Sequence, residues 1–293
     1  MRSNHFLGLG PHGFHRVYYT EWGNPTNDRV LVCIHGLTRT GRDFDFLAAA
    51  LAADYRVICP DVVGRGQSEW LTHKADYGYP LYMNDITALL ARSGVEQVDW
   101  LGTSMGGLIG MFLAAQPGNP IRKLIMNDVG PFICKAGLER IAEYVGKPVQ
   151  FTHLTEMERY LRVIAAPFGP LTDAQWLHLT LHSARQLPSG EYTFAYDPGI
   201  AEPFKNTSQD IDLWPVWDAV RCPVLVMRGA ESDVLARADA EAMQARGPRA
   251  ELVEFAGIGH APALMTAEQI AVVRDWLLDH DRETKEAANA PAQ

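Results

Sequence analysis

The chain has 293 residues, of which 47% are hydrophobic and 21% are charged, a composition typical of globular proteins. Its formal net charge of -9 disfavours nucleic acid as a partner, because an acidic surface repels phosphate backbones. The sequence shows neither a signal peptide nor an apolar run of membrane-spanning length, so no membrane association and a cytoplasmic location are expected. Cys33 and Cys59 lie in apolar runs, where buried free thiols are expected.

The predicted elements alternate between short apolar runs and longer amphipathic stretches. Residues 5–23 predict an antiparallel hairpin that turns around residues 10–13 and begins the sheet. Apolar runs bounded by Gly, Pro or Asp follow at residues 30–34, 57–59, 98–101, 124–126, 224–227 and 252–255. Such runs are typical of strands buried on both faces. The fold class predicted is therefore α/β, with a mostly parallel central sheet and helices on both of its faces.

The alternation stops between residues 131 and 213. This segment has no convincing buried strand, and it contains helical patches at residues 138–144, 156–164 and 173–183. The sequence therefore predicts one core domain, formed by residues 1–130 and 214–293, and a helical insertion over residues 131–213.

A Gly-x-Ser-x-Gly pattern carries the strongest chemical signal. Gly102, Ser104 and Gly106 follow an apolar strand and precede an almost wholly apolar helical stretch. This strand-turn-helix context is that of a nucleophile elbow, in which a strained serine projects its hydroxyl from a sharp turn. The sequence therefore predicts Ser104 as a catalytic nucleophile.

A serine hydroxyl needs a base that takes its proton. His260 lies in a Gly-rich loop directly after the last predicted strand, so it can reach the edge of the sheet where the elbow lies. Asp233, in the loop after the strand at residues 224–227, is the first choice for the carboxylate that orients His260, and it gives the order Ser, Asp, His expected for this fold. Asp128, which follows the strand at residues 124–126, and Glu231 remain alternatives.

An acyl-transfer mechanism also needs two donors for the developing oxyanion. The backbone N–H groups of Met105, at the start of a helix, and Leu37, after the first long buried strand, are the candidates. His35 precedes Leu37 by two residues, and we expect its imidazole to tie this loop to neighbouring backbone rather than to act in catalysis.

Together these features resemble the α/β-hydrolase superfamily, and specifically its capped serine hydrolases. The resemblance rests on His35-Gly36, the turn at residues 61–68, the Ser104 elbow, and the loops that carry Asp233 and His260. It implies that the insertion is a cap over the active site. Two further residues of the 61–68 turn, Asp61 and Arg65, are expected to fix that loop.

Within this superfamily, the resemblance favours a carboxylesterase. Serine at position 104 argues against haloalkane dehalogenases and epoxide hydrolases, which have Asp there, and Leu37 departs from the Trp of haloperoxidase-like members. The predicted reaction is hydrolysis of a small to medium carboxylic ester through an acyl-enzyme on Ser104, without a cofactor or metal. Hydrolysis of a C–C bond in a vinylogous keto acid, or of an enol lactone, is one alternative, although residues 37–40 lack the Gly-rich loop usual in C–C hydrolases. A small-molecule receptor that retains the triad is another.

The insertion is expected to supply the substrate pocket. Its candidate pocket residues are aromatic: Phe132, Tyr160, Phe168 and Trp176. His178 and His182 are four residues apart on a predicted helix, a spacing that can bind zinc. Without an adjacent Glu in the zincin pattern, we interpret them as surface residues of the cap.

Overall fold

The computed structural model describes residues 1–204 and 209–289, and a mixed eight-stranded sheet forms its centre. The strands are β1 (Arg2–Gly10), β2 (Gly13–Trp22), β3 (Val30–Ile34), β4 (Arg56–Pro60), β5 (Val98–Thr103), β6 (Ile121–Asn127), β7 (Phe132–Ile133), β8 (Ala184–Gln186), β9 (Tyr192–Phe194), β10 (Ile211–Asp212), β11 (Val224–Gly229) and β12 (Glu251–Phe255). The strand order of the central sheet is β1-β2-β4-β3-β5-β6-β11-β12. Strands β1, β2 and β4 pair antiparallel, and the other neighbours pair parallel.

Helices cover both faces of this sheet, as the sequence predicts. They are α1 (Asp45–Leu51), α2 (Tyr79–Ser93), α3 (Met105–Ala114), α4 (Lys135–Tyr144), α5 (Leu154–Ile164), α6 (Asp173–Ser183), α7 (Trp214–Trp217), α8 (Arg237–Ala245) and α9 (Ala267–Asn289). Short 3-10 helices span Gly41–Phe44, Lys74–Asp76, Ala166–Phe168 and Pro198–Phe204. No helix within the described ranges is both long and apolar enough to cross a membrane.

The apolar run of β3 shows why the parallel strands do not alternate between apolar and polar residues. All five of its residues are buried. Val32 and Ile34 pack on the side of α2 and α3, whereas Leu31 and Cys33 pack on the side of α1 and α9. Because both faces of the strand meet helices, every position must be apolar.

The insertion leaves and rejoins the core through a two-stranded ribbon. In it, β7 pairs antiparallel with β10, with Phe132 opposite Asp212, and the N–H of Leu213 donates to the carbonyl of Pro131 at 2.7 Å. Helices α4, α5 and α6 cover the three predicted helical patches. The hairpin formed by β8 and β9 was not expected from the sequence, because its strands have only three residues each and are too short for a periodic pattern.

The insertion contacts the loops at the carboxyl edge of the sheet. The carbonyl of Pro167 accepts a hydrogen bond from the N–H of Gly259 at 2.8 Å, and the side chain of Gln175 donates to the carbonyl of Met265 at 2.9 Å. Both core residues belong to the loop that carries His260. The insertion is therefore attached directly to a predicted part of the active site.

Candidate active site

Ser104 lies between β5 and α3, at the turn predicted from the sequence. Its φ of 52° and ψ of -115° are strained for a residue with a side chain. The turn is held on both sides, because the N–H of Ser104 donates to the carbonyl of Asn127 and its own carbonyl accepts from Gly107 and Leu108. These bonds keep the hydroxyl at the exposed end of a rigid elbow.

The two glycines of the motif allow the strand and the helix to approach closely. A Cβ atom at Gly102 would lie 2.1 Å from the backbone of Gly106, and one at Gly106 would lie 2.0 Å from the carbonyl oxygen of Ile34. Any side chain at either position would force β5, α3 and β3 apart. The pattern is thus a steric requirement of the elbow.

The imidazole of His260 is held by a buried carboxylate. Its Nδ1 lies 2.7 Å from Oδ2 of Asp128, whose side chain is fully buried. Asp128 also accepts hydrogen bonds from the N–H of Gly229 at 2.9 Å and the hydroxyl of Ser232 at 2.6 Å. These three contacts compensate the loss of water around the buried negative charge. They also fix the ring of His260, leaving its Nε2 for another partner.

The partner of His260 differs from the first choice made from the sequence, which was Asp233. Asp233 is exposed in the loop after β11, and its neighbour Ser232 is the residue that points to Asp128. The reason is the strand order. Strand β6 lies between β5 and β11, so Asp128, directly after β6, is buried at the middle of the edge. The backbone of Asp128 has a positive φ of 57° at this point. Asp128 was the alternative acid in the sequence analysis.

Asn127, which was not predicted from the sequence, connects the serine elbow with the histidine loop. Its side-chain amide donates to Oγ1 of Thr103 at 3.0 Å and to the carbonyl of Pro262 at 2.9 Å. Its carbonyl accepts from the N–H of Ser104 at 2.9 Å. The available signal was two polar residues, at positions 127 and 128, directly after the apolar run at residues 124–126.

The two predicted oxyanion donors lie on either side of the elbow. Met105 is the first residue of α3, so its N–H has no carbonyl one turn earlier in the helix. Leu37 follows Gly36, where a Cβ atom would be 3.8 Å from Cβ of Ser104. Nε of the buried Arg65 donates to the carbonyl of Leu37 at 2.8 Å, which fixes this loop.

His35 and Asp61 have the structural roles expected of them. Nδ1 of His35 bonds the carbonyl of Gly36 at 2.7 Å, and Nε2 accepts from the N–H of Val62 at 2.9 Å. Burial lowers the pKa of His35 to about 4. The carboxylate of Asp61 accepts from the N–H groups of Gly41 and Gln67, each at 2.8 Å, while burial raises its pKa to about 6.

The four aromatic residues proposed for the pocket have different surroundings. Phe168 lines a cavity next to Thr103 and the histidine loop. Trp176 is buried in an apolar cluster that joins Leu179 of the insertion with Met265 of the histidine loop, and Tyr160 packs against Phe151 and Phe194. Phe132 is half-buried in the ribbon at the base of the insertion. Tyr160 therefore packs within the insertion and Trp176 packs between the insertion and the histidine loop, whereas Phe168 lines the cavity.

His178 and His182 share one face of α6, where the carboxylate of Asp45 approaches them. One ligand atom from each residue can lie within 4.8 Å of the other two. The carboxylate of Asp45, however, is already paired with the guanidinium of Arg42, and Nε2 of His178 bonds the carbonyl of Arg42 at 3.0 Å. Burial and the charge of Arg42 lower the pKa of His182 to about 4. We interpret the group as a polar contact between α6 and α1.

Comparison with known proteins agrees with this fold. The family model for the alpha/beta hydrolase family matches residues 31–273. The chain is 48% identical over 273 residues to a 3-hydroxybutyrate-oligomer hydrolase of Cupriavidus necator, a match that covers 90% of this chain and 93% of that protein. A solved alpha/beta hydrolase from Novosphingobium aromaticivorans has a TM-score of 0.83 and 37% identity, covering 94% of this chain and 96% of that one. A protein from Rickettsia typhi has a TM-score of 0.90 and 34% identity, covering 95% and 99%. The chain therefore belongs to the alpha/beta hydrolase family.

Proposed function

We propose that this protein is a serine esterase that hydrolyses short oligoesters of hydroxy acids, such as oligomers of 3-hydroxybutyrate. The observation that carries the mechanism is the 2.7 Å contact between His260 and the buried carboxylate of Asp128, at the same sheet edge as the strained Ser104. The substrate class rests on the relative from Cupriavidus necator, with which the chain shares 48% identity.

The proposed reaction proceeds by acyl transfer. Oγ of Ser104 attacks the ester carbonyl while Nε2 of His260 takes its proton, and Asp128 stabilises the imidazolium through Nδ1. The oxyanion accepts hydrogen bonds from the N–H groups of Leu37 and Met105. His260 then gives its proton to the oxygen of the leaving alcohol, and the acyl group stays on Ser104. A water molecule, deprotonated by His260, hydrolyses this acyl-enzyme and restores the serine. The steps need no metal or organic cofactor.

The insertion acts in this proposal as a cap. Hydrogen bonds to an oxyanion stabilise it more when water is excluded, and a sheet edge is otherwise open to solvent. The contacts of Pro167 with Gly259 and of Gln175 with Met265 hold the insertion over the histidine loop. Phe168 is the pocket residue that we retain, because it lines the cavity beside Thr103.

A substrate panel tests the proposal. The purified protein is incubated with 3-hydroxybutyrate dimer and trimer, with p-nitrophenyl esters of increasing acyl length, and with a vinylogous keto acid, and products are separated by chromatography. We expect rapid release of 3-hydroxybutyrate and slower hydrolysis of the nitrophenyl esters. Rapid cleavage of the keto acid without ester turnover would support the C–C alternative. Near single-turnover kinetics with a tightly retained ligand would support the receptor alternative.

Covalent labelling tests the nucleophile separately. A fluorophosphonate probe should add one adduct to the wild-type protein, detectable by intact-mass spectrometry, and none to Ser104→Ala. Ser189→Ala is the matched control, because Ser189 lies exposed in the turn between β8 and β9. An adduct that persists in Ser104→Ala contradicts the assignment.

A further inference from the structure

A small cavity lies between the Gly36–Arg39 turn and the loop that follows His260. Its volume is about 30 Å³, enough for about two water molecules or one carboxylate group. The insertion closes it through Phe168 and Leu179. Six of its lining residues define its position: Gly36, Arg39, Thr103, Phe168, Ala261 and Pro262.

Arg39 is the positively charged residue of this cavity. Its side chain is 12% exposed, and Asp43 holds it from one side, with Nε and Nη2 each donating to a carboxylate oxygen at 2.7 Å. The ring centroid of Phe168 lies 5.6 Å from its Cζ. Nη1 has no hydrogen-bond partner among the residues that the structure describes. Asp43 and Phe168 therefore orient a guanidinium that still has an edge available for a second anion.

Arg39 lies close to the nucleophile. A Cβ atom at Gly36 would be 3.7 Å from Cγ of Arg39 and 3.8 Å from Cβ of Ser104. Gly36 therefore lies between the two side chains and places no side chain of its own there. A substrate bound to Ser104 can reach Arg39 with a group only a few bonds from its reacting carbonyl.

The cavity borders the loop that follows His260. His260 must protonate the oxygen of that alcohol, so the alcohol part of the ester lies beside the histidine loop. Ala261 and Pro262, the two residues after His260, line the cavity. In an ester of 3-hydroxybutyrate the leaving hydroxyl and the carboxylate are separated by only two carbons of the chain, which suits the short distance between Ser104 and Arg39.

We propose that Arg39 binds the free carboxylate of the leaving hydroxy acid, so that the enzyme cleaves the ester bond at the carboxyl end of an oligomer and releases one hydroxy acid at a time. This inference rests on the function proposed above and specifies where the oligomer is cut. Asp43 positions the guanidinium, and the substrate carboxylate binds the Nη1 edge. Arginine suits the site better than lysine because its planar group can hold two carboxylates at once.

The test compares two substrates that differ only in this charge. One is the 3-hydroxybutyrate dimer with its free carboxylate, and the other is the same dimer with a terminal primary amide. We expect the wild-type protein to favour the acid in kcat/KM. In Arg39→Gln the ratio of acid to amide should fall by about 10- to 100-fold, the effect of losing a hydrogen bond between charged groups. The fall should appear mainly in KM for the acid.

Arg42→Gln is the matched control. Arg42 belongs to the same turn and is also paired with an aspartate, Asp45, but it lines a different groove, shared with Gln67 and Trp70. Its substitution should leave the ratio of acid to amide unchanged. A 3-hydroxybutyrate tetramer gives a second readout, because cleavage at either end yields trimer and monomer first, whereas internal cleavage yields dimers; the ratio of acid to amide then identifies the carboxyl end.

The outcomes of these measurements separate a failure of the inference about Arg39 from a failure of the proposed function. A ratio that falls in Arg39→Gln but not in Arg42→Gln, together with trimer and monomer as first products, supports the inference. Equal losses on both substrates mean that Arg39 only anchors its loop, which overturns the inference, as does a wild-type protein without preference for the acid. In those two cases the oligomer hydrolase proposal still stands, because the dimer is cleaved. If the wild-type protein cleaves neither dimer, the proposed function fails and the inference fails with it.

Discussion

Two histidines at the carboxyl edge of the sheet show how position changes the chemistry of one residue type. His35, after β3, is fully buried, and backbone groups bind both of its ring nitrogens. The side chain of His260 is 24% exposed, and a carboxylate binds its Nδ1. A histidine whose two nitrogens are engaged by backbone cannot exchange protons, whereas one held by a single carboxylate can use its other nitrogen as a base. The comparison separates a structural histidine from a candidate catalytic one.

The largest effect expected is the loss of activity on replacing His260. His260→Ala should lower kcat by about 10⁵- to 10⁶-fold, by analogy with serine protease triads, and the melting temperature should change little. Because the residues act as a unit, adding Ser104→Ala should reduce activity little further. His35→Ala should instead show its main effect as a lower melting temperature. Activity of His260→Ala within about tenfold of wild type would remove the distinction between the two histidines.

The second effect concerns the carboxylate behind His260. Asp128→Asn should lower kcat by about 10⁴-fold, because the amide cannot stabilise the imidazolium and favours the wrong tautomer. Asp233→Asn, in the exposed loop after β11, is the control and should change kcat by less than about threefold. Circular dichroism checks that both variants are folded. A larger loss in Asp233→Asn would mean that the acid proposed here is wrong.

The third effect is on stability and concerns His35. Burial lowers its folded pKa to about 4 from the ordinary histidine value of 6.5, so between these values the unfolded chain takes up a proton that the folded chain does not. Stability therefore falls as pH falls through this range, by about 3 kcal/mol if the full difference applies. Asp61 acts in the opposite direction: its folded pKa is raised to about 6, so the folded chain takes up a proton first and gains stability as pH falls.

Urea denaturation at about pH 7 and pH 4.5 separates the two contributions. His35→Asn removes the imidazole and keeps Asp61. The variant should be less stable than wild type at pH 7, and the difference should shrink by about 2 to 3 kcal/mol at pH 4.5. A difference that stays constant with pH would show that His35 is not a neutral, buried group.

The smallest effect expected is at Asn127, which positions the loop of His260. Asn127→Ala removes two hydrogen bonds, each contributing about 1 kcal/mol, and kcat should fall by about tenfold with little change in KM. Asn119→Ala is a matched control, because the amide of Asn119 also donates two hydrogen bonds, to the carbonyls of Ala114 and Gln116 near the end of α3. If the two variants lose similar stability but Asn127→Ala loses more kcat, the result supports a positioning role for Asn127. Equal kcat values in the two variants would reduce Asn127 to a structural residue.

The sequence alone determined the sheet and the elbow, because both depend on local constraints. The apolar run at residues 30–34 forms β3, and its lack of alternation correctly indicated helices on both faces. The pattern around Ser104 specified a strand, a strained turn and a helix, since only glycine fits at positions 102 and 106. Constraints of this kind act between residues a few positions apart, so the order of residues expresses them.

Tertiary structure alone decided which groups meet across that edge. Asp128 and Asp233 both follow strands that end there, and both give the order Ser, Asp, His, so the order of residues along the chain does not separate them. The position of β6 between β5 and β11 brings Asp128 to His260, 132 residues later in the chain. Likewise, Phe168 lines the cavity while Trp176 is buried between the insertion and the histidine loop, although both are aromatic residues of one segment. Strand order and the packing of the insertion depend on interactions summed over the whole chain, and no local pattern records them.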